Sequence, residues 1–243
     1  MTAIPLTLSR PSYDRSAEQL QEIAEIAGPE LELASAEDIV AWAVSTFGSR
    51  FCVTSSMADA VLAHVASRVA PGIDVVFLDT GYHFPETLGT RDAVDATMKV
   101  NVRTVTPALS VAEQDAAYGP DLWSRDPDLC CALRKVAPLQ DALAGYDAWA
   151  TGLRREETRT RVIAPVVGWD AAKSKVKVSP LARWSQGDVE AYVQRHGVLV
   201  NPLVYDGYPS IGCRTCTRRV EPGEDTRAGR WSGTAKTECG IHR

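Results

Sequence analysis

No stretch of this 243-residue sequence stays apolar for more than about ten residues, well short of the roughly 20 that a membrane-spanning helix needs. Met1 to Ser12 has no basic start followed by an apolar block, so nothing there reads as a secretory signal. The sequence lacks both the Gly-x-x-x-x-Gly-Lys-Ser phosphate loop and the Gly-x-Gly-x-x-Gly fingerprint, which sets aside two common nucleotide-binding turns. No internal repeat or low-complexity linker is visible, so nothing suggests a repeat array or a flexible tether. The expected address is therefore the cytoplasm, where six cysteines stay reduced and serve as metal ligands or reactive thiols.

What is present is ordinary in amount and uneven in placement. An apolar content of 45% with 23% charged residues suits a soluble globular chain. The length suits one large α/β domain, or a domain with an appended segment. The net charge of −5 hides an asymmetry: residues 1–129 carry 8 Lys and Arg against 19 Asp and Glu, and residues 130–243 carry 18 against 12. A basic C-terminal half in an acidic chain points to a localised anion site rather than a nucleic-acid surface.

Periodicity predicts helices over 16–27, ended by Gly28-Pro29, and from Ser35, where Asp38 completes a capping box. Phe51–Thr54 reads as a buried strand and Ser55-Ser56-Met57-Ala58-Asp59 as a small-residue turn before a helix at 60–69. Further strands are expected at Val75–Leu78, Val100–Thr106 and Asp147–Ala150, with helices at 85–98, 111–117, from Cys130 to about Leu143, and 185–196. Extended segments are expected at Val162–Val167 and Val176–Leu181, joined by a Gly168-Trp169-Asp170 turn. Strands alternating with helices predict an α/β fold with a mainly parallel twisted sheet covered on both faces, and residues 200–243 read as irregular structure wrapped over it.

Several groups can carry chemistry. The Ser55–Asp59 turn and Asp79-Thr80-Gly81 sit where strands end, on the rim where open α/β sheets bind ligands. Arg154, Arg155, Arg159 and Arg161 follow the fourth strand on that rim, and arginine's planar fork suits phosphate or sulfate. Cys130-Cys131 with Cys213-x-x-Cys216 suggests four thiolates around one metal centre, either zinc or an iron–sulfur cluster. Cys52, inside an apolar strand, reads as core. Cys239 stands almost at the chain end, with Lys236 before it and His242 after it; nearby cations lower a thiol's pKa, and the thiolate is the nucleophile. A tail this short, rich in Gly, Ser and Thr, is mobile unless something ties it down.

Four motifs carry a resemblance: Cys130-Cys131-Ala132-Leu133-Arg134-Lys135, the stretch from Tyr208 to Thr217, Gly223 to Trp231, and Lys236 to His242. With these the chain resembles the assimilatory sulfonucleotide reductases, in their iron–sulfur branch acting on adenosine 5′-phosphosulfate (APS), from about residue 35 to the end. The resemblance implies an adenine-nucleotide α-hydrolase-like fold, with Ser55–Asp59 a degenerate pyrophosphatase loop. It implies that Cys130, Cys131, Cys213 and Cys216 bind a [4Fe–4S] cluster. It further implies that Cys239 attacks the sulfur of APS, expels AMP and forms an S-sulfocysteine, which thioredoxin cleaves to sulfite. By matching positions, Ser55, Ser56, Asp59 and Thr80 face the nucleotide, Lys135 lies between cluster and substrate, and Gly152, Arg154, Arg218, Arg219 and His242 are candidates for substrate contact. The same reading divides the chain into a helical segment at 1–34, a nucleotide-binding domain at 35–199 and a cluster-binding, catalytic segment at 200–243. It expects no nucleic-acid or membrane partner and leaves a homo-oligomer open.

Three alternatives remain at this point. One is a reductase preferring 3′-phosphoadenosine 5′-phosphosulfate (PAPS), and a second is a non-catalytic four-cysteine metal module. The third, an adenylylating enzyme of the same fold, would keep a more intact pyrophosphate loop and has no use for Cys239.

Overall fold

The computed structural model describes residues 6–9, 14–234 and 236–242, the last without its side chain. Most of Met1 to Ser12 and the His242 side chain, both used in the sequence reading, lie outside the described residues. The apolar runs become strands β1 (Phe51–Thr54), β2 (Ile73–Leu78), β3 (Val100–Val105), β4 (Ala148–Ala150), β5 (Val167–Asp170) and β6 (Lys175–Val178). They form one sheet in the order β3-β2-β1-β4-β6-β5, parallel throughout except for the antiparallel β5–β6 pair. Helices α1 (Ala17–Leu31), α2 (Ala36–Phe47), α3 (Val61–Val69), α4 (Pro85–Thr97) and α5 (Val111–Tyr118) lie in the first half of the chain. Then come α6 (Leu122–Arg125), α7 (Pro127–Cys131), a π-turn over Ala132–Val136, α8 (Ala137–Ala142) and α9 (Gln186–His196). Beyond residue 200 the described chain forms only 3₁₀ turns and isolated bridge pairs.

Successive strand side chains point to opposite faces, and here both faces are buried. Phe51, Val53, Val75, Phe77, Ala148 and Ala150 enter the larger core, which also takes Leu20 of α1, Val40 of α2, Val65 of α3 and Val189 of α9. The residues between them, Cys52, Val76 and Trp149, enter a second core with Leu139 and Leu143. Cys52 is thus a core residue, paired in register with Trp149.

Two of the sequence expectations that fail do so for identifiable reasons. Helix α1 does not stop at Gly28-Pro29 but runs to Leu31 with Pro29 inside it. Gly28 is there for proximity instead: a Cβ at that position would come 2.7 Å from the Val167 carbonyl oxygen, so α1 lies directly on the β5 backbone. The second failure concerns Gly168-Trp169-Asp170, which is not a turn but the body of β5, paired with Lys175–Lys177; the reversal falls at residues 171–174. Residues 162–165, expected to be extended, are irregular, with Val162 58% and Ile163 89% exposed.

The strand order reverses between β1 and β4, so their carboxyl ends leave a crevice between diverging connections, the place where open α/β sheets bind ligands. Thr54, Leu78 and Thr151, at or just past the ends of β1, β2 and β4, all line one large cleft there.

Replacing Gly28 by alanine should cost about 1–3 kcal/mol, because the Val167 backbone cannot swing aside as a side chain would. A lower urea midpoint at unchanged slope would show it; an unchanged midpoint would mean that α1 and β5 separate freely.

Candidate active site

The cleft has a volume of about 1000 Å³. Its floor is the turn after β1. Ser55 accepts a hydrogen bond from the Met57 N–H at 3.2 Å, and Met57 adopts a left-handed backbone (φ 58°) that is unusual for a residue with a side chain. Asn201, fully buried, supports that conformation by donating to the Met57 carbonyl (3.1 Å) and to Thr87 Oγ1 (3.1 Å). The Asp59 carboxylate accepts from the N–H of Val61, the first residue of α3, at 2.9 Å, while burial raises its pKa. Ser55, Ser56, Asp59, Thr80, Lys135, Gly152, Arg154 and Cys239 all line this one cleft.

Arg218 and Arg219 do not. Arg218 makes a two-pronged ion pair with Glu224 (2.8 and 2.9 Å), and Arg219 pairs with Asp206, both on the exposed side of the C-terminal segment. Arg161, Arg227 and Arg230 take their place in the cleft lining. Within the arginine run after β4, Arg154 faces the cleft and donates to Gln186 Oε1 (2.8 Å). Arg155 turns away to grip Glu32 beyond α1 (2.6 and 2.9 Å). Arg230 lies so close to Gly212 that a side chain there would overlap its guanidinium, and it stacks 4.5 Å from the centre of the Trp231 ring.

The cysteines come from two segments. Cys130 and Cys131 end α7, and Cys213 and Cys216 bracket a 3₁₀ turn over Arg214–Cys216. Cys213 Sγ lies 3.3 Å from Thr80 Oγ1, and Arg134, buried in the π-turn, donates to the Thr80 carbonyl at 2.5 Å. Burial, with the neighbouring Cys213 and Cys216, pushes the Cys130 thiol up to about 11. Burial pulls the half-buried Lys135 down, but the sulfurs of Cys213, Cys239 and Cys131 outweigh it and hold the ammonium above its ordinary pKa. Among the described residues no three His, Cys, Asp or Glu side chains are grouped as a metal-ion site.

The tail expected to be mobile is tied down. Glu238 makes a two-pronged ion pair with Arg161 (2.8 and 2.7 Å), lies 3.5 Å from Arg227 and accepts the Cys239 N–H at 2.9 Å. Lys236 pairs with Asp128 on α7 and stands over the Trp231 ring. Cys239 therefore sits against Cys131. A hydrogen bond from that thiol, against burial and helped by Lys135, the Ile241 N–H and Arg230, holds Cys239 well below the usual thiol pKa. Chemically, the arrangement offers a thiolate beside guanidinium and ammonium groups, in a cleft at the carboxyl edge of the sheet. The sequence did not single out Glu238 or Asn201, and named Arg161, Arg227 and Arg230 only within longer runs. Their partners lie far away along the chain, and no local spacing encodes them.

Residues 50–219 match the family model described as the phosphoadenosine phosphosulfate reductase domain. The chain is 68% identical over 229 residues to an adenosine 5′-phosphosulfate reductase of Streptomyces coelicolor, covering 94% of this chain and 97% of that protein. It is 54% identical to the protein of the same name from Mycolicibacterium smegmatis, covering 92% and 95%. Among solved structures it is similar to a phosphoadenylyl-sulfate reductase from Candida auris in complex with phosphate, with a TM-score of 0.68, 28% identity and coverage of 86% and 100%. Likeness to an FMN adenylyltransferase of Candida glabrata (TM-score 0.53, 11% identity, 82% of this chain and 75% of that one) concerns the fold alone.

Burial alone would raise the Glu238 carboxyl, but the Arg161 bonds outweigh it and hold it at about 2. The ion pair is complete above the ordinary carboxylate value of 4.5 and is lost only as pH falls from there through about 2, so tail docking should not vary across the neutral range. Glu238→Gln at neutral pH should cut hydrogen-exchange protection of the Cys239 amide roughly tenfold. Equal protection in both proteins would show that the pair does not hold the tail.

Proposed function

Because the chain belongs to the phosphoadenosine phosphosulfate reductase family, we propose that it reduces adenosine 5′-phosphosulfate to sulfite and AMP, with Cys239 as nucleophile and a thioredoxin-type dithiol as reductant. The observation that carries this reading is the place of Cys239: its thiol lines the same cleft as Lys135, Arg161, Arg227 and Arg230. Guanidinium groups offset the charge of a phosphosulfate and turn its sulfur toward the attacking thiolate. The Sγ of Cys239 forms a bond to that sulfur, the sulfur–oxygen bond to the phosphate breaks, and its electron pair leaves with AMP, a stable anion that needs no proton. The product is an S-sulfocysteine. One thiolate of the dithiol then attacks Cys239 Sγ, and sulfite leaves with the electron pair of the sulfur–sulfur bond. The second thiol resolves the mixed disulfide and restores Cys239, so the dithiol supplies both electrons.

The nucleotide is assigned to the turn after β1. Ser55, Ser56 and Asp59 sit at the switch point with Thr80 opposite, and Gly152 has open space beside its Cα through which a phosphate can approach the backbone. APS is preferred to PAPS because the relatives at 68% and 54% identity carry the APS name, whereas the PAPS-named structure stands at 28%.

Cys130, Cys131, Cys213 and Cys216 are assigned a [4Fe–4S] cluster. Four thiols from two segments, with Lys135 and Arg230 facing their sulfurs, form a donor set suited to a polynuclear thiolate centre. Cys131 as a ligand would give up its hydrogen bond to Cys239 and leave that thiolate to Lys135 and Arg230. When bound, the cluster supplies fixed charge and a rigid tie between α7 and the 213–216 turn. All six cysteines are free of disulfides, which suits a reducing compartment, and we place the protein in the cytoplasm.

Intact mass of anaerobically purified protein after incubation with APS and no reductant should show one added sulfo group, mapped to the C-terminal peptide. Cys239→Ser should retain iron and acid-labile sulfide, form no adduct and lose about 10³-fold or more in turnover. An adduct with PAPS as well would move the specificity but not the mechanism; no adduct with either, from iron-replete protein, would refute the mechanism.

A further inference from the structure

Cys239 lies between two anchors. Before it, Glu238 is held by Arg161; after it, Ile241 is held by groups that the chemistry above does not use. Lys173 belongs to the turn between β5 and β6. Its side chain is 4% exposed, and its Nζ donates to Asp170 Oδ2 at 3.0 Å and to the Ile241 carbonyl at 3.2 Å. The same ammonium stands 5.3 Å from the centre of the Trp149 ring. The Ile241 side chain packs on the second core, to which Trp149 belongs. Trp149 thus lies under the ammonium and belongs to the core on which Ile241 packs.

The two anchors differ in what substrate does to them. Arg161 lines the cleft, and an anionic substrate there competes with Glu238 for the same guanidinium. Lys173 does not line the cleft, and its acceptors are an aspartate in its own hairpin and a main-chain carbonyl of the tail. An ammonium almost out of water loses an acceptor when the tail lifts away, so its hydrogen bonding favours the docked state. Because the acceptor is a carbonyl, Lys173 responds to the position of the tail, and Ile241 supplies the side-chain fit.

We propose that Lys173 is a positioning residue which, with the Ile241 seat, clamps the C-terminal turn closed while substrate occupies the arginines. The β5–β6 hairpin is then the fixed jaw and residues 240–242 the moving one. This rests on the reading of Cys239 as nucleophile. Once a second anion competes for Arg161 the Glu238 tie is weakened, whereas the Lys173 contact, like the Lys236–Asp128 pair, lies outside the cleft.

The test uses full-length, iron-replete protein and two readouts. The first is the rate at which iodoacetamide alkylates Cys239, followed on the C-terminal peptide with and without AMP. The second is the single-turnover rate of sulfo-adduct formation over a range of APS concentrations. Lys173→Met should raise alkylation about tenfold, the factor that corresponds to one charged hydrogen bond. It should lower the adduct rate at saturating APS by a similar factor while the half-saturating concentration moves by less than about twofold. Lys173→Arg, which keeps the charge and its donors, should recover most of both. Ile241→Ala, which leaves the hairpin intact, should move both readouts in the same direction as Lys173→Met.

Unchanged alkylation and adduct rates in Lys173→Met and Ile241→Ala would overturn the clamp. An effect confined to Lys173→Met, with Ile241→Ala silent and no recovery in Lys173→Arg, would also overturn it, because it would mark a merely structural hairpin lysine. If the parent protein forms no adduct, the nucleophile reading fails, and the alkylation comparison still decides whether the clamp exists.

Discussion

A cation drawn partly out of water needs negative charge close by, and Lys135 finds it in sulfur. Burial works against its charge, and the sulfurs of Cys213, Cys239 and Cys131 restore it. Those three cysteines belong to the turn after residue 212, the chain end and the end of α7, so three stretches far apart in sequence meet around one ammonium. The rest of the site serves that meeting. The π-turn carries Arg134 against Thr80, and Thr80 in turn touches Cys213. Gly212 leaves room for Arg230, whose charge also faces the sulfurs.

The tail shows how a segment can be ordered without becoming permanent. Its ties are an ion pair from Glu238 to Arg161, one from Lys236 to Asp128, a carbonyl on Lys173 and one aliphatic side chain in a core. Each is a moderate interaction, and none is a run of regular secondary structure. Segments held in this way open locally at a small fraction of the global unfolding free energy. The proposed reaction, in which Cys239 meets a small anion and then a protein-sized dithiol, calls for both a docked and a released tail.

The βα alternation was legible because buried parallel strands are short apolar runs, and Phe51–Thr54 and Val75–Leu78 read that way without ambiguity. The nearness of Cys130 to Cys213 and Cys216 was legible because adjacent thiols with a Cys-x-x-Cys are rare by chance. Where local rules met a tertiary contact, the contact prevailed: Gly28-Pro29 carries a stop signal, yet α1 continues because its glycine packs on β5. Trp169 sits in a Gly-Trp-Asp sequence that suggests a turn, yet β6 supplies it with a strand partner. The arginines were the hardest to sort. Arg154 and Arg155 are neighbours of identical chemistry, and Glu32 with the Ala164 carbonyl holds one of them away from the cleft. Arg218 and Arg219 carry the same charge as Arg227 and Arg230, but Glu224 and Asp206 occupy them on the outside.

The contact between Gly28 and the Val167 carbonyl has a consequence at the margin of the sheet. β5 is an edge strand, and the backbone of such a strand is a template for another chain's strand. Helix α1 lies against that backbone closely enough to shield it. At the opposite margin β3 turns Asn101, Arg103 and Thr104 to solvent, and Arg103 is bound to Asp74 on the neighbouring strand. Helix cover on one side and polar and charged side chains on the other are both features that discourage edge-to-edge strand pairing.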